Sequence, residues 1–176
     1  NVFIGTIPST ITGNDVLNQN VSGADGRDSV RVVQTVENTG HGVAYDVIVR
    51  GTLPSGYSAT DVTNLKVTRG DGTVLAFTGT TAQFFSATGI QIHGGDGTQN
   101  SVVLQGTGDA ANNDILYVTY DLKLTDTQAV GTTLALAGSI LNWSGANNGP
   151  GFVSGTTPVG GNASNITDGA TVATNN

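Results

Sequence analysis

Large apolar side chains recur at every second position in several short stretches of the chain. The clearest is residues 115–124, where each second residue from Leu116 to Leu124 is aliphatic or aromatic. Successive side chains of a β-strand point to opposite faces, so one face of this segment belongs to a core. No segment has convincing helical spacing. The pattern predicts an all-β chain, with further strands at 29–37, 44–50, 65–69, 73–77, 90–93, 101–105 and 133–143.

Glycine, asparagine and aspartate separate these stretches. Gly-Asp-Gly at 70–72 and Gly-Gly-Asp-Gly at 94–97 are strong turn signals between strands. Strands and turns at such short intervals are typical of a β-sandwich. The pattern also predicts an extended segment at 2–11, a polar loop at 13–26, and a Gly/Asn-rich tail from Gly145 onward.

Composition narrows the function classes. Charged residues make up 11% of the 176 positions and the formal net charge is -7, so the chain repels nucleic acid and no nucleic-acid partner is expected. The chain has no cysteine, which leaves out disulfides and thiolate chemistry. No run approaches the roughly 20 apolar residues that span a bilayer, so membrane insertion is not expected.

The order of motifs along the chain is distinctive. Asp28 precedes an alternating strand that ends in Asn-Thr-Gly at 38–40, and a valine-rich strand then leads to Thr-Leu-Pro-Ser-Gly at 52–56. A long alternating strand with the central aromatic Tyr120 is followed by Gly-Thr-Thr at 131–133. This order resembles the conserved-repeat domain of unknown function that occurs in tandem in bacterial and archaeal cell-surface proteins. Two departures are Leu136, where that family usually has Asn, and the long segment 61–105.

The resemblance implies an immunoglobulin-like Greek-key sandwich at residues 28–147. Residues 1–27 would be an N-terminal extended segment and loop, and residues 148–176 a tail that is flexible or donates a strand. The expected function is a non-enzymatic, extracellular structural module of a surface adhesin, filament, surface layer or biofilm. Its partners would be tandem repeats or neighbouring copies, joined by strand addition. The alternative is a module that binds glycans or another surface.

Two loops carry candidate calcium ligands. Each places carboxylate and amide oxygens just before a strand, and Ca²⁺ prefers such ligands. The same residue types also form turns without any metal. Neither loop has the full spacing of a helix-loop-helix calcium site. Ca²⁺ is therefore kept as a hypothetical cofactor, with the candidate ligands Asp25, Asp28, Asp109, Asn112 and Asp114.

Other candidate chemistry is sparse. Arg69-Gly70-Asp71 spells a tripeptide that animal integrins recognise, although a hairpin turn explains the same residues. The two histidines, His41 and His93, have no acid or nucleophile fixed beside them by spacing, so no catalytic residue is assigned. Trp143 is the sole tryptophan and the candidate platform for a glycan.

Overall fold

The computed structural model describes residues 2–4, 21–26, 28–99, 101–127, 129, 131–145 and 168–174. Eleven strands and two short helices lie within this part of the chain. A one-turn 3₁₀ helix spans Ala59–Asp61, and helix α1 spans Thr81–Phe84. The strands are β1 (Val2–Ile4), β2 (Val21–Ala24), β3 (Ser29–Glu37), β4 (Tyr45–Thr52), β5 (Val62–Arg69), β6 (Val74–Leu75), β7 (Phe77–Thr78), β8 (Ile90–Ile92), β9 (Ile115–Lys123), β10 (Thr133–Ser144) and β11 (Asp168–Thr174).

The strands form two sheets. The first has the order β1-β3-β9-β5-β6, and the second has the order β2-β11-β10-β4-β8-β7. All pairs are antiparallel except β2 with β11, which is parallel. Buried side chains from both sheets form one apolar cluster. The prediction of an all-β sandwich is therefore confirmed.

Strand β9 is the centre of the first sheet. Every second residue from Leu116 to Leu124 is at most 1% exposed, as the alternation predicted. The ring of Tyr120 packs edge-on against Phe84 and Phe85, with centroids 5.8 and 5.2 Å away. Both phenylalanines come from the segment around α1, so this short helix inserts aromatic rings into the core between the two sheets.

Two facing glycines of the second sheet make room for this packing. Gly51 of β4 lies opposite Gly138 of β10. A Cβ at Gly51 would lie 2.7 Å from ring carbons of both phenylalanines, and one at Gly138 would lie 2.5 Å from the side chain of Gln34. Gln34 is 8% exposed and donates from Nε2 to the carbonyl oxygen of Ala137 at 2.8 Å. The two sheets are thereby joined by a hydrogen bond as well as by apolar contact.

Four sequence predictions differ from the structure. The predicted strand 73–77 is two short strands, β6 in the first sheet and β7 in the second. Thr80 caps α1 by accepting from the N–H of Gln83, whose side chain accepts from the N–H of Thr80. This capping box is the local signal for the helix that the apolar pattern missed. Strand β2 lies inside the stretch 13–26, which was predicted to be a loop, and it gains its pairing from β11. The predicted strand 101–105 contributes only an isolated bridge between Leu104 and Ala44.

The terminal segments contribute a strand to each sheet. Strand β1 pairs with β3, with Val2 opposite Val32. Strand β11 pairs with β10 from Gly138 to Thr133. Elsewhere in the predicted N-terminal segment and tail, the structure describes only Val21–Ala24, Asp25, Gly26 and Gly145. The remaining residues of both segments lie outside the described residues. Within the described part of the chain, no helix is long and apolar enough to cross a bilayer.

Candidate functional site

The first calcium-candidate loop is organised as a turn before β3. The Asp28 carboxylate accepts a hydrogen bond from the backbone N–H of Asp25 at 3.0 Å, and the Asp28 N–H donates to the Asp25 carbonyl at 3.0 Å. Gly26 packs against Asp126, since a Cβ there would lie 2.6 Å from the backbone nitrogen of Asp126. These contacts hold Asp28 and Gly26 in the turn.

The second loop, before β9, uses its carboxylates in the same way. Asp109 accepts from the N–H groups of Ala111 and Asn113, both at 3.1 Å, and Asp114 accepts from the N–H of Gly108 at 3.0 Å. Asn112 has a φ of 56°, the left-handed conformation that Asn tolerates better than most residues. Each of these residues therefore has a role in the turn.

No group of three or more His, Cys, Asp or Glu side chains is arranged to hold a metal ion in the described residues. Ca²⁺ also accepts amide and backbone carbonyl oxygens as ligands. Calcium binding at these loops stays a prediction.

The Arg-Gly-Asp sequence lies at the hairpin between β5 and β6. Arg69 donates from Nη2 to the Asp71 carboxylate at 2.8 Å, and the Thr73 N–H donates to the same carboxylate. The hydrogen bond from Arg69 lowers the pKa of Asp71 to about 2. Gly70 lies against Asn112, because a Cβ there would come 2.1 Å from the carbonyl oxygen. The two charged groups of the tripeptide are thus bound to each other.

Trp143 lies in a cleft at one end of the sandwich. The cleft has a volume of about 290 Å³. It opens between the end of β3 in the first sheet and parts of β4 and β10 in the second. Its lining residues are Val36, Glu37, Asn38, Thr39, Gly40, Ala44, Val47, Leu104, Ile140 and Trp143.

A β-bulge places Trp143 in this cleft. The alternation of β10 puts Leu134 and Leu136 on the core face and predicts the opposite face for Trp143. In the structure, Ile140 lies opposite Val49 and Asn142 opposite Ile48, so β10 has one extra residue at this point. A bulge of this kind reverses the facing of the residues that follow it. Trp143 therefore lines the same cleft as Ile140, and its exposed fraction is 37%.

The rim of the cleft is polar and rigidly held. Asn38 donates from Nδ2 to the carbonyl oxygens of Gly42 and Gln105, at 2.7 and 2.8 Å, and its Oδ1 accepts from the N–H of Gly40. Glu37 is different, because its Oε2 is buried and has no hydrogen-bond partner. The rim thus contains a loop fixed by hydrogen bonds and an acidic residue whose Oε2 is buried.

Sequence reasoning found Trp143 but not its surroundings. The pattern predicted strands at 29–37 and 133–143 and a strand end at Asn-Thr-Gly 38–40, yet no local pattern joins these segments. Leu104 is brought to the cleft by its bridge to Ala44. No sequence pattern predicts that the Glu37 Oε2 lacks a hydrogen-bond partner.

Comparison with known proteins does not assign a family. No protein-family model and no curated protein matches the sequence.

Proposed function

We propose that this chain is a non-enzymatic, extracellular structural module, a building block of an adhesin, filament or surface layer that polymerises by strand addition. Its connectivity is immunoglobulin-like in this proposal, as the resemblance to the cell-surface repeat domain implies. The low charge and the absence of cysteine are compatible with a module stabilised by sheet pairing and core packing alone.

The observation that carries the proposal is the pairing of β11 with β10. Six consecutive residues of β11 lie opposite Thr133–Gly138 in regular antiparallel register. Without β11, this side of β10 would present unpaired N–H and C=O groups beside the buried side chains of Leu134 and Leu136. An unpaired strand edge of this kind is a template for a strand from another chain.

The connection to β11 is long enough for exchange between copies. Residues 145–167 separate β10 from β11. About 23 residues can extend over roughly 75 Å, which is well beyond the width of one sandwich. The same register between β10 and β11 can therefore form within one chain or between two neighbouring chains.

Cysteine trapping tests the exchange directly, because the natural chain has no cysteine. Ala135 lies opposite Thr171 in the register of β10 with β11. Two single variants, Ala135→Cys and Thr171→Cys, are mixed, assembled and oxidised. Exchange between copies gives a disulfide-linked dimer that contains one chain of each variant on a non-reducing gel.

The matched control pairs Ala135→Cys with Val74→Cys. Val74 is 58% exposed and lies on β6, at the far edge of the other sheet, so this mixture should give little cross-linking. A double variant, Ala135→Cys with Thr171→Cys, should form linked oligomers under assembly conditions. If it forms only an internal disulfide, and the mixed single variants stay monomeric, the chain is not a strand-exchanging subunit.

Deletion of residues 1–12 tests the other end of the chain. Strand β1 covers only Val30–Val32 of β3, through three residue pairs. If β1 also connects copies, the deletion should leave a folded monomer that no longer assembles. Sedimentation velocity in chelator and in calcium measures both assembly and its dependence on the metal. Unchanged assembly after the deletion would limit strand addition to β11.

A further inference from the structure

We infer that a groove beside Arg50 (the Arg50 groove) binds a small organic acid with one carboxylate and an apolar body, an activity separate from assembly. The groove has a volume of about 530 Å³, within the range of small-molecule sites. It is lined by the end of β4, by the turn that contains the 3₁₀ helix, and by α1 with the residues that follow it.

Arg50 supplies a positive charge that the fold itself does not neutralise. Of the three arginines that the structure describes, Arg31 and Arg69 each pair with an aspartate. Arg50 instead donates from Nε to the hydroxyl oxygen of Ser139, its neighbour across β10, at 3.0 Å, and has no carboxylate partner among the described residues. Its Nη atoms are not among the buried polar atoms. A guanidinium fixed through Nε still offers two parallel N–H donors, which match the two oxygens of a carboxylate.

The lining residues next to Arg50 favour an apolar body for this acid. Tyr57 and Phe85 contribute aromatic rings and Leu53 an aliphatic side chain. The ring of Phe85 is fixed edge-on against Tyr120, with centroids 5.2 Å apart. Rigid rings provide contact area with little side-chain freedom to lose on binding. The groove therefore offers an apolar surface directly beside one cationic group.

Charge selects a monocarboxylate over a more highly charged anion. Arg50 is the only basic residue among the described residues that line the groove, and none of them is acidic. Asp61, which follows in the 3₁₀ turn, accepts hydrogen bonds from the N–H and the hydroxyl of Ser58, at 2.8 and 3.1 Å. One guanidinium balances one carboxylate, whereas a phosphate dianion would add negative charge to a chain whose net charge is already -7.

The walls of the groove are held by local hydrogen bonds. The N–H of Ser58 donates to Asp61 and the N–H of Thr80 donates to the side chain of Gln83, each at 2.8 Å, so both short helices are fixed at their first turn. The site is therefore formed before a ligand arrives. Affinity should be on the order of millimolar, as expected for a ligand of about nine heavy atoms in an open groove.

Two-dimensional NMR of the ¹⁵N-labelled full-length chain provides the test. The chain is titrated with benzoate and with hexanoate, and then with benzamide and inorganic phosphate as comparison ligands. We expect saturable shifts of the Gly51 and Ala87 amides, which line the groove, with at least one of the two acids. Benzamide and phosphate should bind at least about fivefold more weakly than that acid. No saturable shift with either acid at about 50 mM, or equal binding of benzamide or phosphate, would overturn the inference.

Three variants that each make the net charge more negative by one unit separate a local contact from a general charge effect. Arg50→Gln removes the guanidinium, and Ala87→Glu adds a carboxylate at an exposed position that lines the groove. Both should weaken binding of the acid more than about fivefold. Lys123→Gln is the matched control, because Lys123 is exposed on β9 in the other sheet, and it should leave binding unchanged. Unchanged binding by Arg50→Gln with a native-like spectrum would refute the site.

The titration is kept independent of assembly. It is repeated on the monomer that carries the internal disulfide between positions 135 and 171, where strand exchange is blocked. Binding of the acid there would stand even if the assembly proposal fails. Amide shifts that follow protein concentration and not the acid would identify the Arg50 groove as a contact between copies, and would refute the ligand site while leaving assembly intact.

Discussion

The hydroxyl group of Tyr120 is predicted to weaken the fold. Tyr120 is fully buried, its Oη has no hydrogen-bond partner, and its ring packs edge-on against Phe84 and Phe85. A buried hydroxyl without a partner costs about 1–3 kcal/mol, whereas the ring contacts do not depend on the oxygen. Tyr120→Phe should therefore raise the free energy of unfolding by about 1 kcal/mol, after allowance for the small space that the oxygen leaves.

The pH dependence of the free energy of unfolding provides a second test of the Tyr120 hydroxyl. Burial raises the pKa of Tyr120 well above its ordinary value. The unfolded chain then loses its proton near pH 10 while the folded chain keeps it, so stability falls as pH rises above about 10. This contribution has a limiting slope of about 1.4 kcal/mol per pH unit, and it is absent below pH 10. Tyr120→Phe should remove this part of the alkaline loss.

Urea unfolding at pH 7 and pH 11 measures both effects, and a thermal scan should show an increase of about 2–4 °C at pH 7. The matched control is Tyr57→Phe. The Oη of Tyr57 accepts a hydrogen bond from the N–H of Thr125 at 3.4 Å, so its removal should lower stability by roughly 0.5 kcal/mol. If Tyr120→Phe is also destabilising at pH 7, Tyr120 has a hydrogen-bond partner in solution and the reasoning is refuted.

Three further substitutions test the packing between and within the sheets. Gly51→Ala should lower the free energy of unfolding by about 1–3 kcal/mol, because the added Cβ would overlap the rings of Phe84 and Phe85. Urea unfolding measures this loss, and a variant as stable as the natural chain would contradict that packing. Gln34→Ala removes the 2.8 Å hydrogen bond to the Ala137 carbonyl, and should cost about 1–3 kcal/mol by calorimetry; a neutral result would mean that the carbonyl has another donor. The hydrogen bond from Arg31 lowers the pKa of Asp121, so its stabilisation is present above pH 4 and lost as pH falls through the folded-state pKa. Asp121→Asn should cost about 0.5–1 kcal/mol at pH 7 and flatten the acid limb of the stability profile, whereas an unchanged acid limb would show that the pair is screened by solvent.

Local alternation determined the three longest strands. It placed strands at 29–37, 115–124 and 133–143 within one residue of their observed ends, because a strand with one buried face must alternate along its own sequence. The hairpin turn at 70–72 was equally readable, since Gly-Asp-Gly meets the backbone requirements of the turn by itself. The capping box of α1 was present in the sequence, but four residues are too few to show a helical period.

Only the tertiary structure decided how distant segments meet. The order of strands in the two sheets, the pairing of β2 with β11, and the inter-sheet bond of Gln34 all join residues far apart in the chain, for which local periodicity has no information. Trp143 illustrates the limit most clearly. Alternation assigned it to the face opposite Ile140, but one extra residue in β10 reversed that assignment, because a bulge shifts facing without changing the polarity of the sequence. The sequence by itself determined the long alternating strands and their buried faces, because alternation is local. Long-range pairing decided the short strands, the order of the sheets and the meeting of Val36 and Trp143 in one cleft.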